Sequence, residues 1–239
     1  MKKTTVLFDL DGTLLPMNQD LFLKEYFKGL TAILVKEGFD KEVSFNAVMK
    51  GIKAMVLNDG SATNEAVFWR EFTKAISYDF SNKMSIFENY YSGDFEKSKA
   101  LCGYNPAAKK AVNLVKELGM RPVLATNPVC PIDATYRRIT WAGLEVSDFE
   151  LITTYDNSSY SKPNPLYYTE IMNKLGVTAE QCLMVGNDTS DDLSATEVGI
   201  PVFFLTDCLI NKNNVDISKY PNGSFDELMS FLNTINKES

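Results

Sequence analysis

The residues able to do chemistry sit where apolar runs end. In VLFDLDGTLL, residues 6–15, an apolar run stops at Asp9, Asp11 stands two positions on, and Gly12 and Thr13 follow at once. Residues two apart on a strand face the same way, so both carboxylates would point out of one strand tip. Further along, LATNP ends an apolar run with Thr126 and Asn127, YSKPNP carries Lys162, and VGNDTSDD holds Asp188 and Asp192 four apart, with Asp191 between them. Carboxylates, one lysine and one hydroxyl gathered at one edge of a fold suit phosphoryl transfer at a divalent cation, where the protein mainly positions groups and neutralises charge. The chain contains no histidine. That removes Ser-His-Asp and Cys-His catalysis, His-ligated metals and imidazole acid–base work.

The elements that would carry these residues fall into two kinds. After a first strand over residues 4–8, residues 20–98 show helical spacing and hardly any strand signal: Leu23, Tyr26, Phe27, Leu30 and Leu34, then Val48, Ile52, Met55 and Val56, then Val67, Phe68, Phe72 and Ile76, then Met84, Phe87 and Tyr91. NDGSATN and similar breaks separate them, which predicts a four-helix unit inserted after the first strand. From Asn105 onward helices alternate with short apolar strands. NPAAKKAVNLVKELG, IDATYRRITWAGLE, NPLYYTEIMNKLG, DLSATEVG and SFDELMSFLNTI read as helices, and RPVLAT, FELITTY, CLMV and PVFFL as strands. Asn164 is the expected N-cap of the third of these helices, with Pro165 in its first turn. The alternation predicts an α/β fold with a doubly wound parallel sheet covered on both faces. In such sheets ligands bind beyond the carboxyl ends of the strands, which is where the reactive residues lie.

Composition limits the partners. A chain of 239 residues, 45% hydrophobic, can bury a full core, and 24 Lys+Arg against 31 Asp+Glu give a formal charge of −7 without any polybasic run. Nucleic acid and anionic membrane are therefore poor partners, although a few local groups can still hold a small anion. Cys102, Cys130, Cys182 and Cys208 are widely spaced, as expected of reduced thiols in the cytoplasm. Asp9 cuts the first apolar run short of a signal-peptide core, and no run approaches a membrane span. The expectation is a soluble, cytoplasmic protein.

In their order, FDLDGTL, Thr126 in LATN, Lys162 before Pro163, and VGNDTSDD, these motifs make the chain resemble the haloacid dehalogenase-like hydrolase superfamily. The α/β part of the resemblance covers residues 1–16 and about 104–210. It implies a Rossmann-like catalytic core built from residues 1–16 and 104–239, and an all-helical cap over residues 17–103. It implies that Asp9 is a nucleophile forming an aspartyl-phosphate, and that Asp11 is the acid for the leaving group and then the base for water. Gly12 would let the backbone turn beside the phosphate. Thr126 would donate its hydroxyl, and Asn127 its backbone N–H, to the transferring group; Lys162 would neutralise charge beside Asp9. Mg2+ would be bound by Asp9, Asp188 and the backbone carbonyl of Asp11, with water and substrate filling the octahedron. Asn187 stands where the commoner Gly-Asp form has none, and the support of Lys162 is divided between Asp192, at the right spacing, and Asp191.

The pair Asp9 and Asp11 favours phosphate esters over carbon–halogen bonds. The resulting expectation is a Mg2+-dependent hydrolase of phosphoric monoesters of a small phosphorylated metabolite, with phosphonate or phosphoanhydride hydrolysis as the alternative among enzymes. A phosphorylatable receiver-like signalling domain is the alternative of another class, since it too groups acids, a Thr and a Lys on a doubly wound sheet. Asn18, Tyr26, Lys53, Trp69 and Arg70 stand out by polarity or size as contacts for the leaving group, with core packing an equal reading for Tyr26 and Trp69. The sequence carries no sign of oligomeric state.

Overall fold

A computed structural model describes residues 2–237. The ends of the expected core range, residues 1, 238 and 239, lie outside the described residues. Five parallel strands form one sheet in the order β2-β1-β3-β4-β5: β1 (Thr5–Phe8), β2 (Arg121–Leu124), β3 (Cys182–Gly186), β4 (Val202–Leu205) and β5 (Asn222–Gly223). All of β1, β3 and β4 is buried because both faces of the sheet are covered. Val6, Phe8, Val185 and Phe203 point to one face, where α5 (Pro106–Glu117) and α8 (Phe225–Lys237) supply Val112, Val115, Leu228 and Leu232. Leu7, Val123, Met184 and Phe204 point to the other, against Tyr167, Tyr168 and Ile171 of α7 (Leu166–Leu175). This two-sided burial is why the strands read as unbroken apolar runs.

Between β1 and α5 lie α1 (Gln19–Lys36), α2 (Lys41–Val56), α3 (Asn64–Ile76) and α4 (Ser85–Ser92). Their starts follow from capping chemistry. Asn18 accepts from Leu21 N–H, Asp40 from Glu42 and Val43 N–H, and Thr63 from Ala66 N–H. The chain leaves and re-enters the sheet layer at one point, where Gly103 N–H donates to Pro16 O at 2.6 Å and Met17 bridges Cys102. α6 (Ile132–Trp141) follows β2.

Four local expectations need correction. FELITTY is not a strand: only Ile152 bridges Leu124 at the edge of β2. Beyond that point the Thr126 carbonyl is met by the Thr153 and Tyr167 hydroxyls, so side chains replace the backbone ladder. DLSATEVG forms a 3-10 helix over Leu193–Val198, stopped by Gly199 at φ +85°. Asn164 caps from one position further out, its Oδ1 accepting from Leu166 N–H at 3.0 Å, with Pro165 in the cap position. A further 3-10 helix, Asp94–Leu101, and the two-residue β5 carry no apolar periodicity and were not expected. Among the described residues no helix is long and apolar enough to cross a membrane.

Candidate active site

β1 sits at the switch point of the sheet, since the chain moves outward to β2 and then returns to β3 on the other side. Asp9 follows the last residue of β1, its N–H bonded to Val185 O at 2.9 Å, and is 8% exposed. A tight turn then brings Leu15 N–H to Leu10 O at 2.8 Å and Gly12 N–H to Leu15 O at 2.8 Å. Gly12 holds φ +82°, which strains any L side chain, and a Cβ there would also press on the Asn187 amide, so the turn favours glycine.

The structure brings most of the expected residues together and gives each carboxylate of the pair its own cation. Lys162, buried, donates to Asp9 Oδ1 at 3.0 Å and to Asp192 Oδ1 at 2.7 Å. The other oxygen of Asp192 accepts from Asn187 N–H at 2.8 Å and Asp188 N–H at 2.9 Å, so the loop after β3 is folded around it. Asp192, not Asp191, is therefore the residue that braces Lys162. Asp191 instead accepts from Asn127 Nδ2 at 3.1 Å. Among the described residues Asp9 Oδ2 has only Thr13 Oγ1, at 3.3 Å. Asp188 Oδ1 accepts from Ser190 N–H at 2.6 Å and Asp191 N–H at 3.2 Å. Neither Thr126 Oγ1 nor the Asn127 N–H has a partner among the described residues, which leaves two donors at the β2 tip.

Sequence reasoning missed Arg138. It is 2% exposed on α6 and donates to Asp11 Oδ2, to Ala134 O at 3.2 Å and to Thr135 Oγ1 at 3.3 Å. Asp11 Oδ1 is buried with no partner. The available signal was register: Ala134, Arg138 and Ile139 share the buried face of α6. Asn64 was missed too. It opens α3, and its Nδ2 donates to Pro128 O at 3.0 Å and Ser161 Oγ at 3.1 Å, tying α3 to the loops that carry Asn127 and Lys162.

Burial and crowding shape the charges. Burial raises Asp9 to about 7, with Lys162 pulling it down and Asp192 and Asp11 pushing it up. Burial also raises Asp11, and Arg138 and Lys162 oppose it. Burial favours the neutral amine of Lys162, but Asp192 and Asp9 outweigh that and hold the ammonium well above its ordinary range. Asp191 is lifted to about 6 by burial, against the pull of Lys162. Asp9, Asp11, Asp188, Asp191 and Asp192 gather here, and among the described residues their ion pairs are with Lys162 and Arg138. The hard oxygen donors of Asp9, Asp188 and the Asp11 carbonyl suit Mg2+, which takes one or two carboxylates and keeps several waters. Among the described residues no group of three or more acidic, Cys or His side chains forms a metal cage.

Of the residues singled out in the helices, Tyr26 lines the space over Asp11 and Trp69 the space beside it. Asn18 is spent on capping α1. Lys53 and Arg70 line a separate surface depression on α2 and α3, so their expected contact with the leaving group is not made.

The family model described as haloacid dehalogenase-like hydrolase matches residues 3–199. A phosphoglycolate phosphatase of Colwellia psychrerythraea is 28% identical over 208 residues, covering 86% of this chain and 85% of that one. The pyrophosphatase PpaX of Listeria innocua is 27% identical over 192 residues, covering 80% and 77%. Among solved structures, a HAD phosphatase from Thermococcus onnurineus shares the fold with a TM-score of 0.57 at 20% identity, over 96% of this chain and 97% of that one.

Proposed function

Because the chain belongs to the haloacid dehalogenase-like hydrolases and is a hydrolase of phosphate esters, we propose that it cleaves phosphoric monoesters of a small metabolite through an aspartyl-phosphate on Asp9. The observation that carries this reading is Lys162 bridging Asp9 and Asp192, which fixes one oxygen of Asp9 and leaves the other held only by a long contact to Thr13. A carboxylate so held can attack phosphorus in line and split one hard hydrolysis into two easier steps. Thr126 Oγ1 and the Asn127 N–H receive the phosphoryl oxygens, and Lys162 neutralises the charge shared between them and Asp9. Asp11, raised by burial, holds a proton for the departing alkoxide and later takes one from water. Asp9, Asp188 and the Asp11 carbonyl would hold Mg2+, which would supply positive charge beside Asp9 and the phosphoryl oxygens.

In the same reading residues 1–16 and 104–239 are the catalytic core and 17–103 a cap, a division supported by the paired crossings at Pro16–Gly103 and Met17–Cys102. The cap excludes water and meets the leaving group. The four free thiols support a cytoplasmic setting, and the charge of −7 supports a small-molecule partner over nucleic acid.

Steady-state hydrolysis of 4-nitrophenyl phosphate tests the reading. Turnover should need Mg2+, stop in excess EDTA, and be abolished in Asp9→Asn with the circular-dichroism spectrum unchanged. Full activity in EDTA would refute the metal assignment, and retained activity in a clean Asp9→Asn preparation would refute the covalent route. A receiver-like domain would instead label once from a small phosphodonor and turn over slowly.

A further inference from the structure

Two neighbouring cavities share walls, and one of them is lined by Asp11. The smaller, about 220 Å³, has Asp11, Asn127, Arg138 and Asp191 as its floor and Phe22, Tyr26, Phe27, Ile52 and Val56 of α1 and α2 as its walls. The larger, about 370 Å³, shares Tyr26, Ile52 and Val129 with it and continues between aromatic walls from Phe68, Trp69, Phe87 and Tyr91. The charged residues of the larger cavity are Glu65, Glu88, Asp133 and Asp156, and one carboxylate oxygen of Asp156 is buried without a partner. No lysine or arginine among the described residues lines it. The one cation of the smaller cavity, Arg138, is already bound to Asp11.

With phosphorus at Asp9 and Asp11 facing the ester oxygen, the leaving group has to extend from Asp11 into these cavities. We propose that this leaving group is an alcohol with an aromatic or branched alkyl body and no negative charge, and that anionic leaving groups are excluded; the inference rests on the roles given above to Asp9 and Asp11. A second negative charge on the substrate would lose its water against apolar walls, find no free cation and face acidic side chains, so it is penalised on every count. An apolar group would gain from the same walls by burying its surface. This sets the chain apart from the relatives named for phosphoglycolate and pyrophosphate, whose leaving groups are anions. The cations that a sequence reader would recruit for such anions, Lys53 and Arg70, line another surface.

Alkyl phosphates of comparable leaving-group basicity provide the test. With purified full-length protein and Mg2+, kcat/KM for 2-phenylethyl phosphate should exceed that for phosphoglycolate by about a hundredfold or more. Phosphocholine, whose quaternary ammonium suits aromatic and acidic walls, should likewise exceed phosphoglycolate. Val56, 40% exposed in the wall of the smaller cavity, can take a cation without burying it in the core. Val56→Arg should raise kcat/KM for phosphoglycolate about tenfold and lower it for 2-phenylethyl phosphate. Phosphoglycolate as the better substrate of the unaltered protein would overturn the inference and leave the phosphatase reading standing. Hydrolysis of none of these esters, nor of 4-nitrophenyl phosphate, would instead overturn the phosphatase reading. If Val56→Arg does not fold, the substrate ranking of the unaltered protein still decides.

Discussion

Arg138→Met strands the Asp11 carboxylate. The side chain of Asp11 is 16% exposed, one of its oxygens already has no partner, and the other would lose the guanidinium. Breaking one side of a buried ion pair costs about 3–5 kcal/mol when the remaining charge stays in place. Here a cheaper route exists, because Asp11 can take up a proton. Protonating a carboxyl of ordinary pKa near 4 at about pH 7 costs roughly 4 kcal/mol, at about 1.4 kcal/mol per pH unit. Burial already raises Asp11 beside Arg138, so part of that cost is present in the unaltered protein and the expected loss near pH 7 stays below about 4 kcal/mol.

The sign of the pH dependence follows from linkage. In the variant the folded pKa of Asp11 lies above its unfolded value, so the folded state binds the extra proton and stability falls as pH rises between the two. The gap between Arg138→Met and the unaltered protein should therefore narrow by up to about 1.4 kcal/mol per unit on lowering the pH from about 7 toward 5. Urea denaturation followed by circular dichroism at several pH values measures this directly. Combining Arg138→Met with Asp11→Asn should cost about 2 kcal/mol less than the sum of the single changes, since no charge is then left unpaired. A loss independent of pH, or strict additivity of the two substitutions, would show that Arg138 acts by packing rather than by compensating Asp11.

Asp11→Asn should slow phospho-enzyme formation far more for an alkyl ester than for 4-nitrophenyl phosphate, by about a hundredfold in relative effect, because only the alkoxide needs a proton to leave. Rapid-quench traces of the aryl ester should then show a burst followed by slow turnover, and equal slowing of both esters would remove Asp11 from acid catalysis. Burial works against the charge of Asp148, yet bonds from Lys109 at 2.6 Å, Lys116 at 2.7 Å and the Glu145 N–H hold it down at about 2. Its folded pKa is depressed, so the stabilisation is present above the unfolded value near 4 and disappears as pH falls toward 2. With the lysines about one-third exposed, Asp148→Asn should lose about 1–2 kcal/mol at neutral pH in urea titrations, and little or nothing near pH 2.

The strands and the reactive residues at their tips were legible for one reason, which is that both follow from the two-sided sheet. Leu7 and Phe8 can be apolar in succession because each meets a different layer, and the first residue free to be polar is Asp9 at the tip. The helices between β1 and α5 were legible from their period. Arg138 was not, since a charge beside Arg137 reads as solvated surface, and only the neighbouring Asp11, distant in sequence, makes its burial tolerable. Lys53 and Arg70 failed the other way: polarity marked them as contacts, but helix rotation puts them outside. FELITTY carries the apolar pattern of a strand yet pairs only through the bridge at Ile152, while Asn222–Gly223 is a two-residue edge, too little chain for any pattern to register.

The hydrogen bond between Gly103 and Pro16 closes everything from Met17 to Cys102 into a single loop whose two ends meet at one spot. Closure entropy grows only with the logarithm of loop length, so doubling such an excursion costs roughly 0.6 kcal/mol. Insertion, shortening or wholesale exchange of the helices is thus almost free as far as sheet topology is concerned, provided the two crossing points survive. The register of β1 against β2 and β3, which sets the position of Asp9, does not depend on what the loop contains. The walls above Asp11 can therefore change in length and content while the pairing of β1 with β2 and β3 keeps Asp9 at its strand tip.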